Sequence, residues 1–427
     1  MRHRICRSRW VAVACGSCAG VALLLTLWAP GVVAQTKVRV TVGVIPTSQG
    51  NGPQHFHMKK QGLFEKYARE FGYELEVKQL IFQTGPQVTE GMAKGDIDFG
   101  IAGYLPLATI IASDLPILPI SNVEGAAHWI LVRRGSPIKD LDDLVKHKAK
   151  IATAVGSTSH YVLLEMFRVH YGKSPEEMGV TVLHMPPSEG ITFPQGIDAI
   201  LYWEALPSLA EMKVGAVRLL DEYGRTGSAH RLGAGVNLAE RSPEIWKKSP
   251  YWPESLVAYR VYLTVRKAFV ERYPKLFVAF LLAHQEAVHT LSKDYRLAHE
   301  LNKEYWPLPF DKVEAFLKVN YILGRRDWVW LTESDFKPVV WGSYWAHAKG
   351  LIRRQVTWDM VQEYLRPIAA LTKEAYDKAG GYPSLAVMTR EAQVGDKPVP
   401  DIRGYPIWMM DRWEKRLPAE VYKYGGK

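Results

Sequence analysis

The hydrophobic positions fall into short apolar runs, each followed by a turn and then by a stretch with helical spacing. Residues 38–45 are apolar and β-rich, and 46–53 form a loop of turn-forming residues. Residues 56–71 carry apolar side chains at Phe56, Leu63, Phe64 and Tyr67 and stop at Gly72, which predicts a helix. Residues 74–82, 98–102, 115–120 and 129–132 read as strands. A short helix over 88–94 lies among them, and an apolar helix follows Gly103-Tyr104-Leu105-Pro106. After Arg134 the alternation restarts, with helices at 141–144, 158–171 and 206–213 and strands at 150–154, 180–185, 197–203 and 217–220. Residues 225–257 read as irregular, 259–265 as a strand and 268–291 as a long helix interrupted near Pro274. The chain from Val313 onward reads as mostly helical. Strand–loop–helix repetition predicts an α/β fold of mainly parallel sheets flanked by helices, and its restart predicts two lobes.

Before the first strand the pattern is different. Residues 1–9 hold Arg2, Arg4, Arg7 and Arg9 and no acid. Residues 10–34 are uncharged, Pro30-Gly31 breaks any helix, and Val32-Val33-Ala34 precedes Gln35. Basic, apolar, small is the order of a secretory signal peptide cut after Ala34. An uncleaved membrane anchor is the competing reading, since the uncharged run is long enough to span a bilayer. All three cysteines, Cys6, Cys15 and Cys18, lie in this segment. A chain cut after it has no thiol, which excludes cysteine nucleophiles, CxxC redox chemistry and cysteine-ligated zinc from the mature part. The cut lowers the formal net charge from +10 to +6, and no stretch has the Lys/Arg density of a nucleic-acid stripe. With 47% hydrophobic and 23% charged residues, the chain has the composition of a globular protein with a large core. An exported chain without thiols points to the periplasm.

Four constellations could carry chemistry. Gly156-Ser157-Thr158-Ser159-His160 follows a strand and opens a helix, so hydroxyls gather where free helix N–H groups point; this is an anion site or plain N-capping. Gly103-Tyr104 lies at the carboxyl end of a strand, where ligands of open α/β sheets sit, and is otherwise an ordinary loop. His55-Phe56-His57 could grip a metal from one side of a strand, but the segment opens a helix, where i and i+2 diverge, and no third ligand follows at metal spacing. His55 instead reads as a polar group facing a ligand. Asp198 to Glu204 ends a strand in Tyr202, Trp203 and an acid, which is either a pocket wall or core plus a solvated helix start. The chain has no Gly-x-Ser-x-Gly elbow, Walker A motif or HExxH, so catalysis has no positive support.

Several of these segments resemble a known family. Lys59-x-Gln-Gly62-Leu-Phe-Glu65, Gly85-Pro86-x6-Met-Ala-Lys-Gly95-Asp96-Ile-Asp98-Phe-Gly100 with Gly103, and Arg134-Gly-Ser-Pro-Ile-Lys-Asp-Leu-Asp-Asp-Leu144 are similar to stretches of the sulfonate, taurine and nitrate substrate-binding proteins of ABC transporters. So are Gly156-Ser-Thr-Ser-His160-Tyr161, Gly196-Ile-Asp198-Ala199 and Val265-Arg-Lys-Ala-Phe-x4-Tyr-Pro274. The order and spacing hold over about residues 37–365. The resemblance implies a two-lobed type II periplasmic binding fold. Lobe 1 would be 37–129 plus 258–365 and lobe 2 would be 130–257, with crossings near 128–132 and 259–265 and a helical extension over 366–427. The ligand set that follows is Ser48, Gln49, His55, Gly103, Tyr104, His128, Ser157, Thr158, Ser159, His160, Trp203, Glu204 and Tyr262. The implied role is that of a monomeric, cofactor-free and metal-free component of an ABC importer. It would capture a small organic anion and deliver it to an inner-membrane permease, with no nucleic-acid partner. The aromatic surroundings fit a pyrimidine or aromatic carboxylate as well as a taurine-like sulfonate. An enzyme on the same fold and a membrane-anchored sensor are the competing classes. Amino-terminal sequencing of the exported protein should begin near Gln35; a sequence starting at Met1 would remove the processing expectation.

Overall fold

In each of the two five-stranded sheets, one strand arrives from the other half of the chain and is inserted antiparallel to its neighbours. The computed structural model describes residues 35–48, 50–123, 128–222, 260–318, 329–388, 392–394, 397–399, 404–415 and 417. The leader expectation, Gln49 and the irregular segment 225–257 lie outside the described residues. Lys37–Lys427 forms one compact unit. Its strands are β1 (Thr36–Val44), β2 (Tyr73–Ile81), β3 (Phe99–Gly103), β4 (Ile117–Asn122), β5 (His128–Val132), β6 (Lys150–Thr153), β7 (Thr181–His184), β8 (Ala199–Trp203), β9 (Val217–Asp221) and β10 (Val261–Arg266).

The first sheet has the order β2-β1-β3-β10-β4 and the second β7-β6-β8-β5-β9. Within the first, β1 runs parallel to β3, while β10 is antiparallel to both β3 and β4. Within the second, β6 runs parallel to β7 and β8, while β5 is antiparallel to β8 and β9. The two sheets therefore share one topology, and the mainly parallel sheets expected from the sequence are mixed. β5 belongs to the second sheet from its first residue: His128 is opposite Trp203 and Trp129 opposite Tyr202.

Burial explains the patterns read from the sequence. β3, β4, β5 and β8 are buried at every residue, as strands covered on both faces must be, so they read as continuous apolar runs. Edge strand β2 alternates, with Glu74, Glu76 and Lys78 exposed. The helix predicted over 56–71 is two helices, Gly52–Gln61 and Leu63–Glu70, because Gly62 takes a left-handed φ of 59° and ends the first. The break at Pro274 is real: Lys267–Arg272 is followed by Pro274–Lys293 with proline in its first turn. That long helix fills the first core, where Phe280 stacks on Phe99 at 4.0 Å and meets Phe64 edge-on at 5.3 Å. A second core gathers Ile130, Leu144, Ile151, Val162, Phe167 and Leu201 under the second sheet.

Beyond the sheets, helices Glu333–Ala348 and Trp358–Lys378 pack on the first half. The expected boundary at residue 365 falls inside the second of these, and Lys275 pairs with Glu374 across that packing at 2.7 Å. The remaining described tail is not simply helical. It holds a short hairpin, Ala392–Val394 with Lys397–Val399, and a 3₁₀ segment, Ile407–Arg412.

Candidate functional site

A small cavity lies where strand ends of the two sheets meet. Four local structures build it. After β1 the chain turns through Ser48; the Asn51 side-chain oxygen accepts the Ile45 N–H at 2.6 Å, and the Asn302 amide donates to the Pro46 carbonyl. Gly52 follows, and a Cβ there would lie 2.7 Å from the Pro46 carbonyl oxygen, so the loop closes on itself only around glycine. At the end of β3, Gly103 begins the helix Tyr104–Ala112. After β6, Gly156 turns with φ 83° and Ser157 takes the position just before the helix Thr158–Tyr171. At the end of β8, the Trp203 indole N–H donates to the Thr47 hydroxyl at 3.3 Å, tying the second sheet to the loop of the first.

The cavity wall contains Ser48, Gly103, His128, Ser157, Thr158 and Trp203 from the sequence-derived set, together with Ile45, Gly85, Pro86, Ile101, Pro106 and Val261. The latter six were missed as site residues. Gly85-Pro86 stood among the quoted motifs, and Ile45 and Ile101 are apolar residues at strand ends, so the signal was present but indistinguishable from core. The cavity measures about 40 Å³, which is room for roughly three water molecules. Its closure is set at Gly103, where a Cβ would overlap the Thr158 hydroxyl.

No Lys, Arg, Asp or Glu is among the described residues of the wall. Polar capacity comes from hydroxyls, free N–H groups of the helix start and one imidazole. The Ser157 hydroxyl is buried, makes no capping bond and has no partner among the described residues. It lies beside orphan backbone donors at the positive end of a helix dipole. His128 is fully buried, and burial pushes its pKa down to about 3, so the ring is neutral. The Glu222 carboxylate accepts the His128 backbone N–H and lies 3.5 Å from Nδ1. Such a wall suits an anion held by neutral dipoles, with an apolar body against Ile45, Ile101, Pro106 and Trp203.

Other members of the expected set are placed elsewhere. Tyr104 is core, its ring 4.5 Å from that of Tyr161. Tyr262 donates its hydroxyl to the Asp335 carbonyl and stacks on Phe336 at 5.8 Å. Glu204 is fully buried and binds Arg218 and, at 3.0 Å, the Ser208 hydroxyl; Arg218 in turn lies over the Trp129 ring at 4.9 Å. That acid is a charge partner inside the second half, because an arginine buried there needs a carboxylate. Ser159 is buried behind the helix start, and His160 accepts the Gly156 N–H at 3.3 Å, supporting the turn. His55 bonds the Asn51 carbonyl at 2.9 Å and lies under Phe280 and His284, with a pKa pushed down to about 4 by burial. Gln49 lies outside the described residues. No cluster of three or more His, Cys, Asp or Glu able to hold a metal is found among the described residues.

No protein-family model matches the chain. The alkanesulfonate-binding protein SsuA of Xanthomonas axonopodis pv. citri, solved with MOPS, superposes with a TM-score of 0.57 at 19% identity, over 78% of this chain and 99% of that one. The chain has the periplasmic binding protein fold. In sequence it is similar to a protein named as aliphatic sulfonates-binding in Escherichia coli (strain K12), with 34% identity over 161 residues, 36% of this chain and 49% of that protein. It is also similar to the taurine-binding periplasmic protein of the same organism, with 26% identity over 187 residues, 42% of this chain and 56% of that protein. The chain thus spans about half the length of the curated relatives it matches. These relatives are named for the sulfonates and taurine they bind.

Two outcomes are expected from this geometry. At φ −71° the Gly103 backbone is open to any residue. Gly103→Ala should therefore keep the melting temperature nearly unchanged while holding the cleft open, weakening ligand capture by about tenfold or more through loss of the closed population; calorimetric titration against differential scanning calorimetry checks both. The second concerns acid stability. His55 and His128, at about 4 and 3, stay neutral in the fold while the unfolded chain protonates below 6.5. The unfolded state then binds more protons, so stability is intact above pH 6.5 and falls as pH drops toward 4. The loss is on the order of 2 kcal/mol per residue by pH 5. Urea titrations at pH 7 and pH 5 should show it, and His55→Gln should shrink the difference.

Proposed function

We propose that this chain is the solute-binding component of an ABC importer. It captures a small organic anion of the sulfonate or taurine-like class between two lobes and presents it to a membrane permease. The observation that carries this reading is the unpaired, buried Ser157 hydroxyl at a helix start that closes onto Gly103 from the other sheet. A neutral wall of hydroxyl and N–H donors holds a tetrahedral or trigonal anion without a counter-charge, and similarity to sulfonate- and taurine-binding proteins supports that ligand class. In this reading the first lobe carries β1 to β4 and β10 and the second β5 to β9. The chain changes lobe between Asn122 and His128 and again between Glu222 and Arg260, and residues 366–427 extend the first lobe. A periplasmic protein released by cleavage near Ala34 and acting as a monomer fits the same role.

The test begins with a thermal-shift panel of taurine, ethanesulfonate, larger sulfonates, nitrate, aromatic carboxylates and pyrimidines, since a ligand stabilises the fold it binds by mass action. The short sulfonates should raise the melting temperature most. Calorimetry of variants then places the ligand. Ser157→Ala removes a hydroxyl that bonds nothing among the described residues, so stability should hold or rise. Affinity should fall about two- to tenfold, the worth of one hydrogen bond. Trp203→Ala should cost more affinity, because apolar area is lost as well. A panel in which no anion shifts the melting temperature, or variants with unchanged affinity, would reject the site.

A further inference from the structure

Tyr161 stands one helical turn after Thr158, on the same helix. It is fully buried, yet it does not line the cavity. Its ring lies 4.5 Å from Tyr104 and 6.1 Å from Trp345, in edge-on contact with both. Its hydroxyl points at Gly342, where a Cβ would overlap that oxygen and come within 3.0 Å of Cζ. Tyr104 follows β3 directly. Gly342 and Trp345 belong to the helix Glu333–Ala348, which is tied to the first sheet: Asn122 donates to the Asp335 carboxylate, Tyr262 to the Asp335 carbonyl, and Phe336 stacks on Tyr262 at 5.8 Å. So a side chain of the second half is plugged into a socket of the first, next to the residues that close on Gly103.

The same helix touches the second half once more. Just past its end, Lys349 pairs with Glu177 at 2.7 Å, and that lysine together with the Ser174 backbone N–H holds Glu177 down at about 2. Its beginning is held by the tail of the chain. The Glu333 N–H donates to the Tyr405 carbonyl at 3.0 Å, the Ile407 N–H to the Leu331 carbonyl at 3.1 Å, and the Lys415 N–H to the Glu333 carboxylate at 3.0 Å. Trp413 stacks on Phe336 at 5.9 Å.

We propose that Tyr161 is a positioning residue for ligand capture: seating its ring against Tyr104, Gly342 and Trp345 brings Ser157 and Thr158 onto Gly103, and the carboxy-terminal extension holds the socket in place. The proposal rests on the two-lobe closure reading above and supplies what holds the closed state. A Tyr161 ring out of its socket carries the first turn of its helix away from the cavity. The lobes then part before the ligand is enclosed.

The experiment is small-angle scattering of the unliganded protein, paired with titration by ethanesulfonate. Gly342→Ala should enlarge the radius of gyration and weaken ethanesulfonate about tenfold. Tyr161→Phe added to it removes the overlapping oxygen and should restore much of both. The radius is read well below each variant's melting temperature, so that a loss of fold stability does not count as opening. Should Gly342→Ala fail to fold, the surface pair serves instead: Lys349→Glu should open the protein at low salt, and adding Glu177→Lys should close it again. Scattering of Gly342→Ala identical to the starting protein, or a charge reversal without effect on radius and affinity, overturns the proposal. Because the radius is read without ligand, a protein that closes but ignores ethanesulfonate keeps the latch and rejects only the sulfonate reading.

Discussion

No side chain fits between Gly103 and Thr158. That single close approach joins the carboxyl end of β3 in one sheet to the first turn of a helix packed on the other, and the cavity exists only while it is made. The surrounding contacts follow from it. Trp203 reaches Thr47 at 3.3 Å, and the Ser188 hydroxyl reaches the Gln83 side-chain oxygen at 3.2 Å, because the two halves are already that near. A small, partly open cavity of about 40 Å³ is the consequence.

The two places where the chain passes between sheets are each held by a buried carboxylate. Glu222, just after β9, accepts the backbone N–H of His128 at the start of β5. Asp335 accepts from Asn122 at the end of β4 and stands 3.5 Å from Arg260, just before β10. Each acid therefore connects the segment leaving a sheet to the segment returning. Charge is kept at these joints and at the Glu204–Arg218 pair, and no charged residue is among the described residues of the wall itself, although Glu222 stands behind His128. A carboxylate on that wall would repel an anion, whereas at the joints it satisfies donors that the crossing strands leave unpaired.

Much of this was legible in the sequence because strands and helices announce themselves by period. The helix at Thr158–Tyr171 and the breaks at Gly95 and Pro274 stand where residue type alone puts them. Sheet direction was not legible: nothing in the apolar runs of β5 and β10 says that they insert antiparallel, since a strand buried on both faces reads alike in either direction. The site was half legible. Ser157, Thr158, Gly103 and Trp203 sit at strand ends and helix starts, where topology puts ligands. Tyr104 and Glu204 occupy the same kind of position, but the Tyr104 ring turns into an aromatic core and Glu204 answers Arg218, a residue fourteen positions on. Ile45, Ile101 and Val261 carry no mark that separates a cavity wall from a core.

The unpaired Ser157 hydroxyl connects these points. A buried hydroxyl without a partner costs the fold about 1–3 kcal/mol, and Ser157 sits at a helix start where a capping bond was within its chemistry but is not made. In the proposed binding role a ligand would remove that cost, and the hydroxyl would then add to affinity, because it is already desolvated. The same reasoning explains the absence of a cation among the described wall residues. A lysine or arginine held there without its anion would carry a far larger penalty than a hydroxyl and would draw the Glu222 carboxylate toward itself. In the proposed two-lobe reading, neutral donors would let the empty cleft close without a stranded charge, so that the closed form is reachable before the ligand arrives.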